Sequence, residues 1–386
     1  MNSEININDN LSADTRKQTP EKEKKLFSPY FSASAVIACL AAAVFTISYN
    51  SVAFAEWYAR TAGQAIRSFI GTLTGWIPFS LAECMLLSII PIAVFYMIRS
   101  SQAIKHSSSN RVFWRWLLPL VAIIFNMLSL YSLAFGTSNY RASLADNLDL
   151  DRKNVSADEL YETYQSVNVQ LNALLDEINF EEQGASEMPY SFYELSTMLN
   201  DAYDEYCGSH DYISTFYAMP KAVALSEPMT YTHISGVYSF FTGEANVNTN
   251  YPDYVIPYTM AHEMAHQRGI AREDEANFVA FLVCMESDDD YIKYSALLSM
   301  QEYLLSALGK ASKEQYSTAY YSLDLRVRYE MRSYSKFFDK YRSSTAATVT
   351  NAVNNTFLQV QGQTEGTKSY GMVVDLAVAY YKTLNQ

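Results

Sequence analysis

The sequence predicts a mainly α-helical protein in which three transmembrane helices precede an α-rich α+β domain outside the cytoplasm. Three patterns support this prediction: three long apolar runs near the N-terminus, helical periodicity over most of the later chain, and a short strand-like stretch at residues 220–248. The chain has 386 residues, enough for a membrane part and a separate globular domain. We divide it into a tail (1–26), a transmembrane region (27–137) and an outer domain (138–386).

The tail and the overall charge limit the partners of the protein. Residues 1–26 are polar and charged with few apolar side chains, which is typical of a disordered segment. The formal net charge is −13, and this argues against nucleic acid as a partner because phosphate binding needs a basic surface. Cys207 and Cys284 both fall in the outer domain without metal-ligand spacing, and we expect unpaired thiols there rather than a disulfide.

Three apolar runs each have close to the ~20 residues that a helix needs to cross a bilayer. They extend roughly over Phe31–Ala55, Trp76–Ile98 and Trp114–Phe135. A cleavable signal peptide is a poor alternative for the first run, because its polar lead is long and two further runs follow. The sequence therefore predicts the lipid bilayer as a partner.

The charges between the runs predict the orientation of the chain. Five basic residues lie in the tail and four lie between the second and third runs, whereas the first connection has only Arg60 and Arg67. By the positive-inside rule the N-terminus is cytoplasmic, and three crossings put the outer domain outside the cytoplasm. Glu83 lies near the outer end of the second run, and we expect it to reach the interface or to pair with a loop arginine.

The outer domain is predicted to be largely helical with a short sheet. Ser156 and Glu159 fit a capping box at the start of its first helix. Further helices are predicted over 191–206, 291–308, 313–341, 345–357 and 371–384. Short strands are predicted at 221–225, 229–234 and 236–242.

The segment His262-Glu263-Met264-Ala265-His266 is an HExxH motif and the strongest functional signal in the chain. Residues four apart share one face of a helix, so His262 and His266 can bind the same zinc ion. Glu263 lies beside them and is placed to act on a metal-bound water. These two histidines are among only five in the chain, which makes a chance match less credible.

A third zinc ligand is needed, because catalytic zinc sites combine three protein ligands with an open position for water. No third histidine follows the motif, and Gly269 can end the helix and turn the chain back. Glu273 and Asn277 are four residues apart, so we expect Glu273 to bind the metal and Asn277 to hold a ligand histidine by its other ring nitrogen. Glu275 is the reserve metal ligand and Asp274 comes third.

The stretch after the motif resembles two groups of metallopeptidases. Glu273 with Asn277 is similar to the ExxAD-type third-ligand motif of gluzincins, with Asn in place of Asp. The short interval between His266 and Glu273 is nearer to the HExxHxxGxxH spacing of metzincins. At the position of the third metzincin histidine this chain has Arg272. This resemblance implies a zincin-like outer domain.

Almost the whole chain also resembles an uncharacterised bacterial membrane-protein family (domain of unknown function 3810). The matching segments are Gly136–Arg141, Thr242–Asn248, Pro257–Gly269, Glu273–Phe278, and Gly362–Gly366 with Ser369–Gly371. The resemblance implies a multi-pass protein of the bacterial cell membrane and brings no assigned activity with it.

The motif predicts a membrane-anchored zinc peptidase that acts on a peptide or protein substrate. Zinc would activate the water and polarise the scissile carbonyl, and Glu263 would serve as general base. Tyr370, Tyr258 and Arg268 are candidates for an oxyanion or substrate contact, and the sequence does not choose among them. The strand edge before the motif has two open interpretations, a pairing site for an extended substrate and a purely structural hairpin.

Two other classes of function compete with this prediction. One is a non-hydrolytic membrane sensor or interaction protein whose outer domain binds zinc or a peptide, and the intact Glu263 argues against it. The other is a structural zinc site, which would need a fourth protein ligand, and no further His or Cys lies near the motif.

Overall fold

The computed structural model describes residues 27–107, 109–152, 155–182, 184–360, 363 and 372–384. The predicted tail, residues 1–26, lies outside the described residues. Within the described part the protein is mainly helical with a single small sheet, which confirms the predicted fold class at this level.

The N-terminal part of the described chain consists of five helices. In chain order they are α1 (Pro29–Asn50), α2 (Val52–Arg60), α3 (Ala62–Gly75), α4 (Leu81–Lys105) and α5 (Asn110–Ala134). Helices α1, α4 and α5 are long and apolar enough to cross a membrane, which confirms the three predicted runs. The first run was predicted to reach Ala55, but α1 ends earlier because the Ser51 side chain caps α2 by accepting from the Phe54 N–H.

The three apolar helices differ in how they pack. Helix α1 lies against α5, where the Asn126 side chain donates to Tyr30 and Ser34. Helix α4 has no buried residue, and its Tyr96 hydroxyl reaches the Trp116 carbonyl of α5. The connection between the first two spans folds as α2 and α3, and both helices pack against the later domain.

The chain enters the later domain through a short 3₁₀ helix, Gly136–Tyr140, and then forms α6 (Leu144–Asn147), α7 (Ala157–Leu174) and α8 (Phe192–Ser209). The predicted capping box at the start of α7 is present, with the Ser156 and Glu159 side chains each bonded to the other's backbone N–H. An equivalent pair, Ser191 and Glu194, begins α8.

The sheet has three strands in the order β1-β3-β2. Its strands are β1 (Lys221–Ala222), β2 (Gly236–Ser239) and β3 (Glu244–Val247); β1 runs parallel to β3, and β2 runs antiparallel to it. The prediction of a strand at 229–234 is wrong, because the short helix α9 (Ser226–Thr230) and a turn occupy this stretch. The Asn248 side chain holds that turn by donating to Thr230 and to the Ile234 carbonyl.

The remaining helices enclose the core of the domain. They are α10 (Val255–Gln267), α11 (Glu273–Glu286), α12 (Asp290–Ala311), α13 (Lys313–Ser322), α14 (Leu325–Phe338), α15 (Thr345–Val360) and α16 (Val373–Leu384). Nearly every side chain of α10 and α11 is buried. The predicted helix 313–341 is broken in two, because the chain turns at Leu323 and the Asp324 side chain caps α14.

Candidate metal centre

Helix α10 brings the two motif histidines together on one face. The Nε2 atoms of His262 and His266 lie 3.0 Å apart, and the rings are perpendicular with centroids 4.6 Å apart. Four residues advance a helix by slightly more than one turn, which accounts for this approach. Their side chains are 11% and 7% exposed, so the facing nitrogens are largely removed from water.

The turn after α10 fixes the orientation of His266. Gly269 has φ +94°, a conformation that favours glycine, and it lets the Ile270 N–H reach back to the Ala265 carbonyl. The turn also places the Ile270 carbonyl 2.7 Å from Nδ1 of His266. A carbonyl can only accept, so Nδ1 carries a proton, and in the neutral imidazole the lone pair is therefore on Nε2, which faces the cluster.

Helix α11 supplies a carboxylate at its first residue. The Oε2 atom of Glu273 lies 3.3 Å from Nε2 of His262 and 3.5 Å from Nε2 of His266. The backbone N–H of Glu273 donates to the Gln363 side chain at 3.4 Å. The predicted trio of His262, His266 and Glu273 therefore converges on one point, and it is the candidate metal cluster among the described residues.

The geometry of the trio fits a zinc ion. With bonds of 2.0–2.2 Å, neighbouring ligand atoms of a tetrahedral site lie roughly 3.3 Å apart. The three observed separations are 3.0, 3.3 and 3.5 Å. Two imidazole nitrogens and one carboxylate oxygen are also a common donor set of catalytic zinc, and they leave one tetrahedral position for water or substrate.

The charges in the cluster are strongly coupled. Burial opposes ionisation of both groups, but the attraction between them is larger. Burial alone would lower the pKa of His266, yet the neighbouring Glu273 raises it to about 9. Both histidines in turn hold the pKa of Glu273 far below its usual range. The site therefore stabilises the ionised carboxylate of Glu273 next to positive charge.

Glu263 lies between α10 and strand β2. Its carboxyl group is buried beside the backbone N–H of Tyr238, which helps to lower its pKa. Burial raises the pKa of Glu263, and the nearby histidines only partly offset this. A Cβ at Gly236 would stand 2.6 Å from Oε1 of Glu263, so β2 passes directly over this carboxylate.

Strand β2 offers a free edge above Glu263. Its other edge pairs with β3, and among the described residues no strand lies beyond it. The Asn248 N–H donates to the Ser235 carbonyl, so by alternation Gly236 and Tyr238 direct their backbone groups away from β3. That this edge pairs with an extended chain stays a prediction.

Glu275 and Asp274, the second and third candidates for the metal ligand, bind other partners. Glu275 is buried and accepts from the Leu144 N–H at 2.8 Å and from Arg272 at 2.9 Å. Asp274 pairs with Arg152 at 2.8 Å. Helical phase turns both carboxylates away from the trio, so the structure places Glu275, the reserve ligand, outside it.

The predicted role of Asn277 is not realised. Nδ1 of His262 and Nδ2 of Asn277 are both buried, and neither has a hydrogen-bond partner among the described residues. The predicted bond between Asn277 and a ligand histidine is therefore not formed. The histidine that is oriented by an outer bond is His266, and its partner is the backbone of Ile270.

Two of the three oxyanion candidates lie away from the cluster. The Tyr258 hydroxyl is buried and donates to the Asn277 carbonyl at 2.8 Å. The buried Arg268 guanidinium stacks 4.0 Å from the centre of the Tyr203 ring and donates to the Phe216 carbonyl. Both side chains support the fold around the site. Tyr370 lies outside the described residues.

Sequence reasoning missed three contributors to the site. The Tyr238 backbone N–H, the Ile270 carbonyl and the Phe135 ring, whose centroid lies 5.9 Å from that of His266, all contact functional side chains. Only the Ile270 carbonyl had a usable signal, because Gly269 announces a tight turn after the motif. The structure leaves all four cysteines unpaired, in agreement with the expectation of free thiols.

A comparison with known protein families identifies the family of this chain. A family model described as "Protein of unknown function (DUF3810)" matches residues 58–378. The chain belongs to this family. The DUF3810 match begins within α2 and ends within α16, so it includes two apolar helices, the sheet and the metal cluster. None of the curated proteins and none of the solved structures matches the chain.

Proposed function

We propose that this protein is a membrane-anchored zinc peptidase with a zincin-like catalytic domain outside the cytoplasm. The observation that supports this most strongly is the convergence of His262, His266 and Glu273 on one point, with the buried Glu263 beside them. The strand edge above Glu263 adds a place for a peptide substrate. The three apolar helices and the distribution of basic residues support the membrane anchor and its orientation.

The side chains present can perform amide hydrolysis. A zinc ion in this site would supply a Lewis acid for the scissile carbonyl and for water. Glu263 accepts a proton from the attacking water, and its raised pKa suits it to return that proton to the leaving amine. His266 is locked in the tautomer that leaves Nε2 free, and the edge of β2 aligns the peptide backbone over Glu263.

The test uses the full-length protein in lipid nanodiscs with a mixture of randomised-sequence peptides as substrate. We expect about one zinc per chain, as a single site of this kind requires. Glu263→Gln should retain the zinc and lower the cleavage rate by about 10²–10⁴-fold, the usual range for loss of a general base. The matched control is Glu314→Gln, which alters an exposed glutamate on α13 and should change neither quantity.

Two results would overturn the proposal. Absence of zinc in elemental analysis of the purified protein would remove the metal site. Peptide cleavage that is equal in the wild type and in Glu263→Gln would assign the hydrolysis to another group. Zinc binding without any cleavage would instead favour the sensor or interaction protein.

A further inference from the structure

The third apolar helix ends directly against the metal cluster. Helix α5 stops at Ala134, and the next residue, Phe135, packs the edge of its ring against His266 with centroids 5.9 Å apart. In the last turn of α5, the Tyr131 ring contacts the ring of Phe240, just beyond strand β2, with centroids 5.1 Å apart. His266 of the cluster and the segment just after strand β2 thus both contact the end of α5.

The second apolar helix begins at the same sheet. The Glu244 carboxylate of β3 accepts from the Leu81 and Ala82 N–H groups at 3.0 and 2.9 Å, so it caps the N-terminus of α4. In return, Glu83 of α4 accepts from the Ala224 and Leu225 N–H groups at 3.0 and 2.7 Å. The sheet is therefore fixed to the point where α4 enters the membrane.

Helix α3 shows how near the bilayer surface lies to the site. One face packs under the site, where a Cβ at Gly71 would lie 3.5 Å from the Gln267 side chain of α10. The opposite face exposes large apolar side chains, with Phe69 70% and Leu73 62% exposed, and Trp76 just beyond the helix is 87% exposed. An amphipathic helix of this kind lies in the membrane interface, where tryptophan is favoured.

These contacts set the distance between the metal cluster and the surface of the bilayer. Helix α3 separates the interface from α10, and one helix with its side chains is about 10–12 Å across. An extended chain covers about 3.3–3.6 Å per residue, so only three or four residues separate the lipid surface from the cluster. A bulky folded domain cannot approach a bond at this height without meeting the bilayer.

We propose that the substrates are polypeptides anchored in the membrane, cleaved in the extended segment within a few residues of the outer lipid surface. This inference rests on the peptidase function proposed above and adds the substrate class to it. The anchored chain leaves the bilayer beside α3 and α5 and pairs with the free edge of β2. Glu263 and the metal cluster then face a bond next to the anchor.

The experiment compares three forms of one randomised decapeptide mixture, using the full-length protein in phosphatidylcholine vesicles. The first form carries a palmitoyl chain on a two-residue linker, the second carries it on a twenty-residue Gly-Ser linker, and the third carries no lipid. The short linker reaches at most about 7 Å, whereas the long one averages roughly 25 Å. Cleavage is measured by mass spectrometry against Glu263→Gln.

We expect the short-linker form to be cleaved at least tenfold faster than the lipid-free form and no slower than the long-linker form. Both lipidated forms are concentrated on the vesicle, so their ratio reports the height of the site. Cleavage of the long-linker form with the short one left intact would overturn the inference, as would equal cleavage of all forms. Absence of Glu263-dependent cleavage from all three would overturn the peptidase function itself.

A second readout needs no turnover. A benzophenone placed in the short-linker peptide should cross-link to strand β2 in the inactive Glu263→Gln protein. A lipidated two-residue linker without the decapeptide serves as the control for contact with the spans alone. Cross-links confined to the spans, with none on β2, would contradict the proposed path of the substrate.

Discussion

The metal cluster and the junction between the N-terminal helices and the later domain are both built from buried or half-buried polar side chains, but they are assembled in opposite ways. We define the junction by five residues: Glu56, Arg67, Glu83, Lys221 and Glu244. In the cluster the three ligands come from adjacent helices within one short stretch of sequence. In the junction, Glu244 is 163 positions from the Leu81 N–H that it caps, and Lys221 is 144 positions from the Ile77 carbonyl to which it donates.

The two regions have different roles. The cluster holds the groups that would act on a substrate, whereas the junction holds α2, α3 and α4 against the later domain. The two regions meet at Gly269, where a Cβ would stand 2.4 Å from Nη2 of Arg67. Variants in the cluster should therefore change metal binding, and variants in the junction should change stability.

The largest effect is expected from the cluster. Glu273→Ala removes one of three ligands, and zinc affinity should fall by more than the roughly 10–100-fold that loss of an outer hydrogen bond causes. Glu275→Ala should leave zinc affinity within a few-fold of wild type, because Glu275 binds Leu144 and Arg272 instead. Titration of the apoprotein with zinc against a competing chelator measures both.

The reverse outcome would be decisive. Zinc loss in Glu275→Ala with retention in Glu273→Ala would transfer the ligand role to the residue that the structure places outside the trio. Thermal unfolding of both apoproteins serves as the control. It should show Glu275→Ala to be the less stable variant, since it leaves the buried Leu144 N–H without an acceptor.

The second prediction tests the point where the two regions meet. Gly269→Ala forces a side chain into a backbone conformation that costs about 1–3 kcal/mol in strain, and the new methyl group collides with Arg67. The displaced Ile270 carbonyl would also release His266, which should weaken zinc binding by about 10–100-fold. Stability in thermal unfolding and zinc affinity in the titration should both fall. Gly208→Ala, within helix α8 and with no atom inside 4 Å, should leave zinc affinity unchanged and should not lower stability, because alanine is favoured over glycine in a helix.

The same contrast explains what the sequence predicted. HExxH periodicity and the turn at Gly269 are local patterns, so His262, His266 and Glu273 were found from sequence alone. The sequence did not predict the surroundings of the Asn277 side chain. They depend on side-chain packing between α10 and α11 rather than on residue spacing. Glu83 was expected to reach the interface or to pair with an arginine, but it binds backbone N–H groups more than 140 positions away. No local pattern reports such a contact.

The third prediction concerns a buried cation in the junction. Arg67 is 2% exposed and donates to the Ala59 and Ala134 carbonyls, which lie at the C-terminal ends of α2 and α5. Burial lowers the pKa of Arg67 to about 10, and the negative ends of the two helix dipoles compensate its charge. Arg67→Met should destabilise the protein by roughly 2–3 kcal/mol, since it leaves both carbonyls without donors.

Thermal unfolding of the detergent-solubilised protein measures this effect. The matched control is Arg99→Met, because Arg99 is exposed at the far end of α4. Zinc stoichiometry should remain at the wild-type value in both variants. Equal stability of Arg67→Met and wild type would show that the junction does not depend on this cation.

The fourth prediction isolates the cap on α4. Glu244→Ala removes the acceptor of the Leu81 and Ala82 N–H groups and should cost about 1–2 kcal/mol, as loss of a helix cap does. Glu244→Gln keeps one carbonyl acceptor and should cost less than Glu244→Ala, because it loses the charge and only one of the two accepted hydrogen bonds. A larger effect of Gln than of Ala in thermal unfolding would contradict the capping role.

The last prediction concerns pH, which should act with opposite signs on Glu56 in the junction and on Glu302 behind α10. In the junction, burial raises the pKa of Glu56, but Arg141 and Arg60 outweigh it and hold that pKa below 4.5. The stability that Glu56 contributes is therefore complete above pH 4.5 and is lost as the pH falls further.

Behind α10, the sign is reversed. Burial raises the pKa of Glu302 to about 7 despite the hydrogen bond from Tyr254. The folded state binds a proton that the unfolded state releases, so Glu302 should destabilise the protein as the pH rises from 4.5 to about 7. Thermal unfolding across pH 3.5–8 should thus show a shallower loss in acid for Glu56→Gln and a shallower decline above pH 4.5 for Glu302→Gln. If both variants flattened the same part of the profile, the two carboxyl groups would not titrate independently.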